Sequence, residues 1–471
     1  MTHYDLAIIG TGSGNSIPDE RYADKKIAIC EQNIFGGTCL NVGCIPTKMF
    51  VYAAEVAEDA RDSSRFGVDA RVDGVRWPDI VSRIFGRIDP LSAGGEHYRR
   101  ASPNIRVYSR HTRFGRVTRD GRYTLRVDGG EEFTAERVVI AAGSRAAVPP
   151  AIERSNVDYH TSDTIMRLPE LPEHLLIIGG GYVAAEFAHI FSSLGSRVTM
   201  VIRGSALLQG HDDTITMRFT NLAAKKWEIR NHTNVVEARR DGGSIVLTCD
   251  NGLTVRGDAL LVATGRVSNG DRLDAELAGI EVRPDGRIVV DRYQRTAARG
   301  IFALGDVSSD YQLKHVANHE ARVVRHNLLQ DWDDLDSLVA SDHRYVPSAV
   351  FTDPQIASVG LTENQAIARG YKTKVKVQDY SDVAYGWAIE DTTGIAKIVV
   401  DEDTGLILGA HLMGHQASSL IQPVVQAMSF GLPAQDMARG QYWIHPALPE
   451  VIENALLALC GEPPWPPSRR H

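Results

Sequence analysis

Short apolar runs that end in glycine-rich turns recur along this 471-residue chain and set its organisation. One set occupies residues 4–9, 27–31 and 138–144, and a second set occupies residues 175–178, 198–202 and 260–266. Apolar runs of this length between turn signals are typical of strands buried on both faces of a parallel sheet. The repeated pattern therefore predicts two similar α/β units in series.

The segments between these runs show other patterns of apolar and polar residues. Apolar and charged positions recur at helical spacing in residues 51–100, which predicts two helices around a turn at about residues 67–74. Residues 105–136 combine strand-like stretches with turns at Asp120–Gly121 and Gly129–Gly130, which predicts a small antiparallel meander. The composition changes again from about residue 341, which indicates a further domain.

Each set of strands carries a glycine motif of the kind that binds dinucleotides. After the first strand the glycines are Gly10, Gly12 and Gly14. Asn15 follows, where glycine or alanine is usual, and Pro18 should delay the next helix or bend the loop. Glu31 ends the second strand about twenty residues later, where an acid binds the ribose hydroxyls.

The second motif is Gly179-Gly180-Gly181 with Ala184 in the last position. A lone glycine motif is weak support for nucleotide binding, because glycine turns are common. Two motifs, each with matching strands, indicate two nucleotide-binding folds.

Two cysteines five residues apart, Cys39 and Cys44, lie in the sequence GGTCLNVGCIPTK at residues 36–48. Pro46 and Lys48 are typical of a first helical turn, whose positive N-terminus lowers the pKa of a nearby thiol. Cys44 and Lys48 also share one helical face. The alternatives are a structural disulfide and half of a zinc site, but no further zinc ligands lie nearby. The arrangement predicts a redox-active pair beside a cation.

Composition narrows the classes of function. A net charge of −8 without a long basic run argues against nucleic acid as a partner. Five scattered cysteines do not form the disulfide framework of a secreted protein. No apolar run approaches the roughly 20 residues of a membrane span, and the first strand begins without a leader. We therefore expect a cytoplasmic protein with no membrane partner and no metal site.

The thiol motif resembles the redox signature of the flavin-dependent disulfide reductases, which include lipoamide dehydrogenases and the glutathione, trypanothione, mercuric and mycothione reductases. The resemblance covers nearly the whole chain. It implies an α/β protein with two Rossmann-like domains, for FAD and NADPH, and a C-terminal α+β dimerisation domain. The implied segments are 1–149 and 269–340 for FAD, 150–268 for NADPH, and 341–471 for dimerisation.

The resemblance also implies how the thiols act. Electrons pass from NADPH through FAD to the Cys39–Cys44 disulfide, with Cys44 as the thiolate facing the flavin. Cys39 then exchanges with the substrate disulfide. His445 protonates the departing thiolate and Glu450 orients that histidine. In the family both come from the other subunit of a homodimer.

Two further side chains are expected beside the flavin. Lys48 should pair with Glu186, one turn into the helix after the second glycine motif. Tyr182 resembles a gate that covers the flavin until the nicotinamide displaces it.

The resemblance implies two sets of cofactor-binding residues. Those for FAD are Gly10, Gly12, Gly14, Glu31, Thr38, Gly143, Asp306 and His315. Those for NADPH are Gly179, Gly181, Tyr182, Arg203 and Gly265. Asp306 ends a buried strand and is expected at the ribitol. The helix that begins around His315 is expected to point at the flavin pyrimidine.

Arg203 decides the predicted nicotinamide cofactor. An acid after the second strand of such a fold binds the 2′-hydroxyl of NAD, whereas an arginine accommodates the 2′-phosphate of NADP. Arg203 lies there with no acid nearby, which predicts NADPH. NADPH-specific relatives usually carry a second arginine where this chain has Gln209, so some use of NADH stays open.

The expected substrate is a low-molecular-weight disulfide, with mycothione first and glutathione disulfide or lipoamide as alternatives. The amide and acidic side chains of residues 15–20 suit hydroxyl-rich sugars better than the carboxylates of glutathione. Lipoamide dehydrogenase fits the thiol motif but not Arg203. Metal-ion reduction is disfavoured because no cysteine pair follows Cys460. A flavin-bound scaffold without turnover is disfavoured by the intact thiols, His445 and Glu450.

Overall fold

The computed structural model describes residues 1–460 of the chain. Its strands are β1 (Thr2–Ile9), β2 (Ile27–Cys30), β3 (Ile105–Tyr108), β4 (Thr112–Phe114), β5 (Tyr123–Val127), β6 (Glu131–Ile140), β7 (Ser144–Ala146), β8 (His174–Ile178), β9 (Arg197–Val201), β10 (Glu228–Arg230), β11 (Val235–Asp241), β12 (Ser244–Cys249), β13 (Thr254–Gly257), β14 (Ala259–Val262), β15 (Arg266–Ser268), β16 (Ile301–Ala303), β17 (Ser348–Val350), β18 (Gln355–Gly360), β19 (Thr373–Asp379), β20 (Ile395–Asp401) and β21 (Ile407–Gly414).

The α-helices are α1 (Gly37–Asn41), α2 (Cys44–Asp62), α3 (Trp77–Ala101), α4 (Pro150–Glu153), α5 (Ser162–Ile165), α6 (Tyr182–Leu194), α7 (Asp213–Lys226), α8 (Lys314–Asn327), α9 (Glu363–Ala368), α10 (Ala384–Ala388), α11 (Ala417–Leu420), α12 (Gln422–Ser429), α13 (Ala434–Arg439) and α14 (Glu450–Cys460). Short 3₁₀ turns lie at Ser13–Ser16, Glu20–Tyr22, Ser63–Phe66, Asn269–Arg272, Ala275–Ala278, Gly305–Val307 and Tyr380–Asp382. No helix among these residues is long and apolar enough to cross a membrane.

Two parallel sheets contain the strands predicted from the apolar runs. In the first, β3, β2, β1 and β6 run parallel in that order, and β16 extends the sheet on β6. In the second, β10, β9, β8 and β14 are all parallel. The predicted α/β class is therefore confirmed.

A short ribbon lies between the two parallel sheets along the chain. β7 pairs antiparallel with β15, so residues 144–146 lie beside residues 266–268. The chain thus leaves the first fold and returns to it at neighbouring points. Residues 348–414 form a separate antiparallel sheet, β17-β18-β21-β20-β19, with α14 packed against β19 and β20. The predicted segment boundaries stay a prediction, and residues 461–471 of the last segment lie outside the described residues.

One prediction of local structure was wrong. The first strand of the expected meander, β3, pairs parallel with β2, because the long helix α3 carries the chain across the sheet before it. Only β4, β5 and β6 form the antiparallel meander. After the first glycine motif the chain takes the second alternative predicted for Pro18, a bent loop, with 3₁₀ turns of four and three residues on either side of the proline.

The helix that begins at Cys44 is anchored to the second nucleotide-binding fold. Phe50, Val51 and Ala54 lie on the buried face of α2 and belong to the same apolar core as α6. Trp77 joins the two helices, with its ring 5.1 Å from Phe50 and 5.3 Å from Phe191 between centroids. This packing holds the two cysteines against both folds.

Candidate active site

Gly36 and Gly37 bring the first cysteine onto the first glycine loop. Both have positive φ angles, 102° and 72°, which side-chain-bearing residues rarely adopt. A Cβ on Gly37 would lie 2.6 Å from the Cα of Gly12, so the two segments can pack this closely only as glycines. The short helix α1 then places Cys39 beside the loop, and Cys44 begins α2.

A hydrogen bond couples the two thiols. The Cys44 thiol donates a hydrogen bond to Cys39, and the backbone N–H groups of Cys44 and Ile45 at the start of α2 also point at the Cys39 sulfur. With Lys314 nearby, these groups outweigh burial and lower the pKa of Cys39 to about 7. The same hydrogen bond raises the pKa of Cys44. These contacts favour a negative charge on Cys39 over one on Cys44.

This charge distribution agrees with the expected role of Cys39 as the thiol that attacks a disulfide, because the thiolate is the nucleophile. The expected role of Cys44 as the thiolate facing the flavin stays a prediction. Both thiols are reduced in this structure, with Cys39 half-buried and Cys44 exposed.

The expected ion pair between Lys48 and Glu186 does not form. The ammonium of Lys48 instead binds Glu55 at 3.3 Å, two turns further along α2, and lies 4.6 Å from the ring centroid of Phe351. Glu186 turns away and accepts a hydrogen bond of 2.9 Å from the backbone N–H of Phe351. Burial raises the pKa of Glu186 to about 7, which the nearby Lys48 only partly offsets.

Tyr182 joins the second glycine motif to the thiols. It is the first residue of α6, directly after Gly181, and its side chain is partly exposed. The charges that act on its hydroxyl include those of Glu186, Asp306 and Cys44. This position is consistent with the expected gate, although that role stays a prediction.

The first glycine loop fits a dinucleotide. A Cβ on Gly10 would meet the carbonyl oxygen of Ala141 at 2.2 Å, and one on Gly14 would meet the Ala141 Cβ at 2.7 Å. A Cβ on Gly12 would enter open space, which is the side a phosphate can approach. Glu31 accepts the Thr11 N–H at 3.0 Å, so the carboxylate expected at the ribose lies directly beside this loop.

Asp306 lies where the two nucleotide-binding folds meet. Its carboxylate accepts a hydrogen bond of 2.7 Å from Ser144, next to Gly143, and lies 4.0 Å from Arg266, next to Gly265. Arg266 in turn donates to the Ser144 hydroxyl at 2.7 Å. The structure therefore brings together residues predicted for two different cofactors. Gly143 and Asp306 were predicted to bind FAD, and Gly265 and the neighbouring Tyr182 to bind NADPH.

Two predicted FAD residues have less distinct positions. Thr38 is exposed on α1, directly before Cys39. The His315 imidazole lies 2.9 Å from the carbonyl oxygen of Pro347, so its ring ties α8 to the segment before β17. Only the helix start, not the His315 side chain, is free to face a cofactor.

The second glycine motif lines a cavity of about 510 Å³. Gly179 is required by close packing, since its Cβ would lie 2.2 Å from the Ala263 carbonyl oxygen, and Gly181 and Gly265 face open space. Among the described residues 1–460, the charged residues that line the cavity are Arg203 and Arg266, and no carboxylate lines it. Gln209 also lines it and donates to Ser205 at 3.0 Å. A cavity with this lining fits a phosphorylated ribose better than a free 2′-hydroxyl.

His445 and Glu450 form the predicted dyad. One carboxylate oxygen of Glu450 lies 2.7 Å from His445 Nδ1, and the other accepts the Ala447 N–H at 3.1 Å. The His445 side chain is 69% exposed and that of Glu450 is 17% exposed. No hydrogen bond or ion pair in the described part of the chain links His445 to either cysteine, and its neighbours Tyr442 and Ile444 are also exposed. The dyad therefore faces away from its own subunit.

Sequence reasoning missed the contacts that arise from tertiary packing. Arg99 binds both the side chain and the carbonyl of Asn15. Asp19 accepts from Arg21, with Arg325 also nearby at 3.6 Å. Most polar groups of residues 15–20 are thus already paired, which removes the argument that they suit a sugar. Lys314 was also missed as a cation that acts on both thiols, since only its place at a helix start could have indicated it.

Comparison with known proteins identifies close relatives. Residues 4–321 match the family described as pyridine nucleotide-disulphide oxidoreductase, and residues 346–456 match its dimerisation domain. The chain is 69% identical over 459 residues to the mycothione reductase of Mycobacterium tuberculosis strain H37Rv, covering 98% of this chain and 100% of that protein. It is 35% identical over 449 residues to the mercuric reductase of Streptomyces lividans, covering 93% and 92%.

A solved structure is similar over the same extent. The HOCl-induced flavoprotein disulfide reductase RclA from Escherichia coli superimposes with a TM-score of 0.83 at 29% identity, covering 97% of this chain and 100% of that one.

The hydrogen bond between the two thiols gives a test by alkylation. In the reduced protein, reaction of Cys39 with iodoacetamide should show a midpoint near pH 7, because the thiolate reacts and its pKa is about 7. Cys44→Ala removes the thiol donor and should raise that midpoint, so that alkylation at pH 7 slows. Cys44→Ser keeps a hydroxyl donor and is the matched control. Peptide mass spectrometry identifies the modified cysteine, and an unchanged midpoint in Cys44→Ala would contradict the hydrogen-bond assignment.

Proposed function

Because this chain belongs to the pyridine nucleotide-disulphide oxidoreductase family, we propose that it reduces mycothione with electrons from NADPH. Members of this family use FAD and a nicotinamide nucleotide, and both glycine loops fit such cofactors. The observation that carries the substrate is the 69% identity over the full length of a mycothione reductase. We also propose a cytoplasmic location, because five scattered cysteines do not form the disulfide framework of a secreted protein.

The protein holds its cofactors through the residues described above. FAD would lie along Gly10, Gly12 and Gly14 towards Asp306, and Arg203 would bind the 2′-phosphate of NADPH. When bound, the flavin takes a hydride from NADPH and supplies two electrons to the Cys39–Cys44 pair.

The reduced thiols then act on the substrate in two exchanges. The Cys39 thiolate attacks one sulfur of the substrate, the substrate disulfide breaks, and a mixed disulfide forms. The first thiolate leaves with a proton from the imidazolium of the partner subunit's His445. Cys44 then attacks Cys39, gives up its proton to the second leaving thiolate, and restores the Cys39–Cys44 disulfide. Two electrons and two protons thus convert one disulfide to two thiols.

Glu450 serves this step by fixing the imidazole. With Nδ1 bound to the carboxylate, the proton available for transfer is on Nε2 of this largely exposed side chain. His445 would therefore serve the cysteines of a second subunit. The match to a dimerisation domain supports this arrangement.

The alternative substrates are less well supported. Arg203 and the absence of a lining carboxylate in the described cavity disfavour an NAD-linked lipoamide dehydrogenase. The glutathione reductase of Burkholderia cepacia is only 32% identical over 452 residues, less than half the identity to the mycothione reductase.

Turnover on three disulfides tests the proposed substrate. With NADPH oxidation followed by absorbance, kcat/KM should be highest for mycothione and lower for glutathione disulfide and lipoamide. The Cys39→Ser variant is the control for disulfide-dependent turnover and should oxidise NADPH with none of them. Equal or faster turnover on glutathione disulfide would reject mycothione as the substrate.

Arg203→Glu should change the nicotinamide preference. It removes a charged contact to the 2′-phosphate, so KM for NADPH should rise about 10- to 100-fold, as expected for one charge-assisted hydrogen bond. KM for NADH should fall or stay unchanged. Arg116→Glu, an exposed arginine outside the cavity, should leave both values unaltered. A wild-type protein that already prefers NADH would show that Arg203 does not select the cofactor.

Complementation between subunits tests the position of His445. His445→Ala should lower disulfide turnover by about 10²–10⁴-fold, the usual contribution of a general acid, while flavin reduction by NADPH stays intact. Cys39→Ser and His445→Ala homodimers should both be nearly inactive. Unfolding and refolding them together should yield heterodimers with one working site. Heterodimers that form without regaining activity would place the two groups in one chain.

A further inference from the structure

No α-helix directly follows the glycines of the first nucleotide-binding fold in the described chain. In the second fold α6 begins directly after Gly181 and runs for 13 residues. In the first fold only 3₁₀ turns of four and three residues follow the glycines. The N-terminus of an α-helix carries about half a positive charge, which favours the cofactor diphosphate. A four-residue turn aligns few peptide dipoles, so the first loop needs another source of positive charge.

Lys314 brings an ammonium to this loop. Its Nζ donates a hydrogen bond of 2.9 Å to the hydroxyl of Ser13, which is buried and in turn donates to Asn318 at 3.0 Å. The ammonium has three donors, and Ser13 takes one of them. Two donors therefore remain at Ser13, the residue that directly follows Gly12 in the loop.

The position of Lys314 is otherwise unfavourable. It is the first residue of the 14-residue helix α8, where the helix dipole repels a cation. Within residues 1–460 its side-chain contact is the hydrogen bond to Ser13, with no ion pair to a carboxylate, and it is only partly exposed to water. A bound anion would relieve this unfavourable electrostatic situation.

We infer that Lys314 binds the diphosphate of FAD at the Ser13 side of the first glycine loop, and so replaces the attraction of the missing helix. The inference rests on the proposed function, because that function supplies the cofactor. Arg99 also lies near the loop, but its guanidinium is already bound to Asn15 and the carbonyl of Pro18. Lys314 is thus the side chain with donors to spare.

The Cys39 thiolate is the competing anion. Lys314 does contribute to the lowered pKa of Cys39, but the Cys44 thiol has a larger effect. The thiolate also exists only in the reduced protein, whereas a diphosphate would be present in both redox states. We therefore assign the ammonium to the diphosphate and test the thiolate separately.

The experiment measures FAD release from the purified holoprotein after dilution, by the rise in flavin fluorescence. Lys314→Met should release FAD about 10- to 100-fold faster than wild type, the effect of losing one charge-assisted hydrogen bond. Lys314→Arg keeps the charge and should stay within a few-fold of wild type. Lys376→Met, a half-buried lysine of β19, is the matched control and should behave as wild type. Added KCl should accelerate release less in Lys314→Met, since it has one fewer ion pair to screen.

The possible results distinguish a failure of the Lys314 inference from a failure of the proposed function. Wild-type protein that binds no flavin would reject the proposed function itself. Unchanged FAD release in Lys314→Met would overturn the inference alone. Equal acceleration of release in Lys314→Met and Lys314→Arg would also overturn it, because the effect would then come from side-chain packing and not from the charge. A higher alkylation midpoint of Cys39 with unchanged FAD release would assign the ammonium to the thiolate. If Lys314→Met is isolated without flavin, titration with FAD should show that it binds FAD more weakly than Lys314→Arg does. Equal binding by the two variants would contradict the inference.

Discussion

The contact between Gly37 and Gly12 determines how the redox centre is built. The backbones approach so closely that any side chain on Gly37 would collide with Gly12. This contact sets α1 against the first nucleotide loop and places the start of α2 one turn away, where its free N–H groups reach the Cys39 sulfur. The cofactor loop and the thiol pair are therefore parts of one packed unit. A change that separates the two loops would move the nucleophile as well.

Two groups beside this unit are tuned towards neutral pH from opposite directions. Hydrogen bonds lower the pKa of Cys39 to about 7, while burial raises that of Glu186 to about 7. Each gains or loses a proton at little cost near that pH. The two lysines near this unit have different partners. Lys48 pairs with Glu55, and Lys314 donates a hydrogen bond to Ser13. Such an arrangement suits a centre whose charge changes with every cycle of reduction.

Local patterns in the sequence were enough to predict the parallel strands, both glycine loops and the thiol pair, and the family resemblance added the His445–Glu450 dyad. These features depend on backbone geometry or on residues close together along the chain. The parallel pairing of β3 and the partners of Lys48 and Asn15 could not be predicted in this way. Each is decided by a residue or helix distant in sequence or by competition between acceptors, as when Glu55 rather than Glu186 binds Lys48.

The ribbon of β7 and β15 has a consequence for how such proteins diversify. Its two strands are the exit from the first fold and the return to it, and they are hydrogen-bonded to one another. Everything between them is an insertion whose ends already meet, the arrangement in which a domain can be inserted or replaced without stretching its host. Arg203, the residue proposed to select the nicotinamide, lies within this inserted segment. A recombination event at this ribbon could exchange one electron donor for another and leave the disulfide chemistry intact.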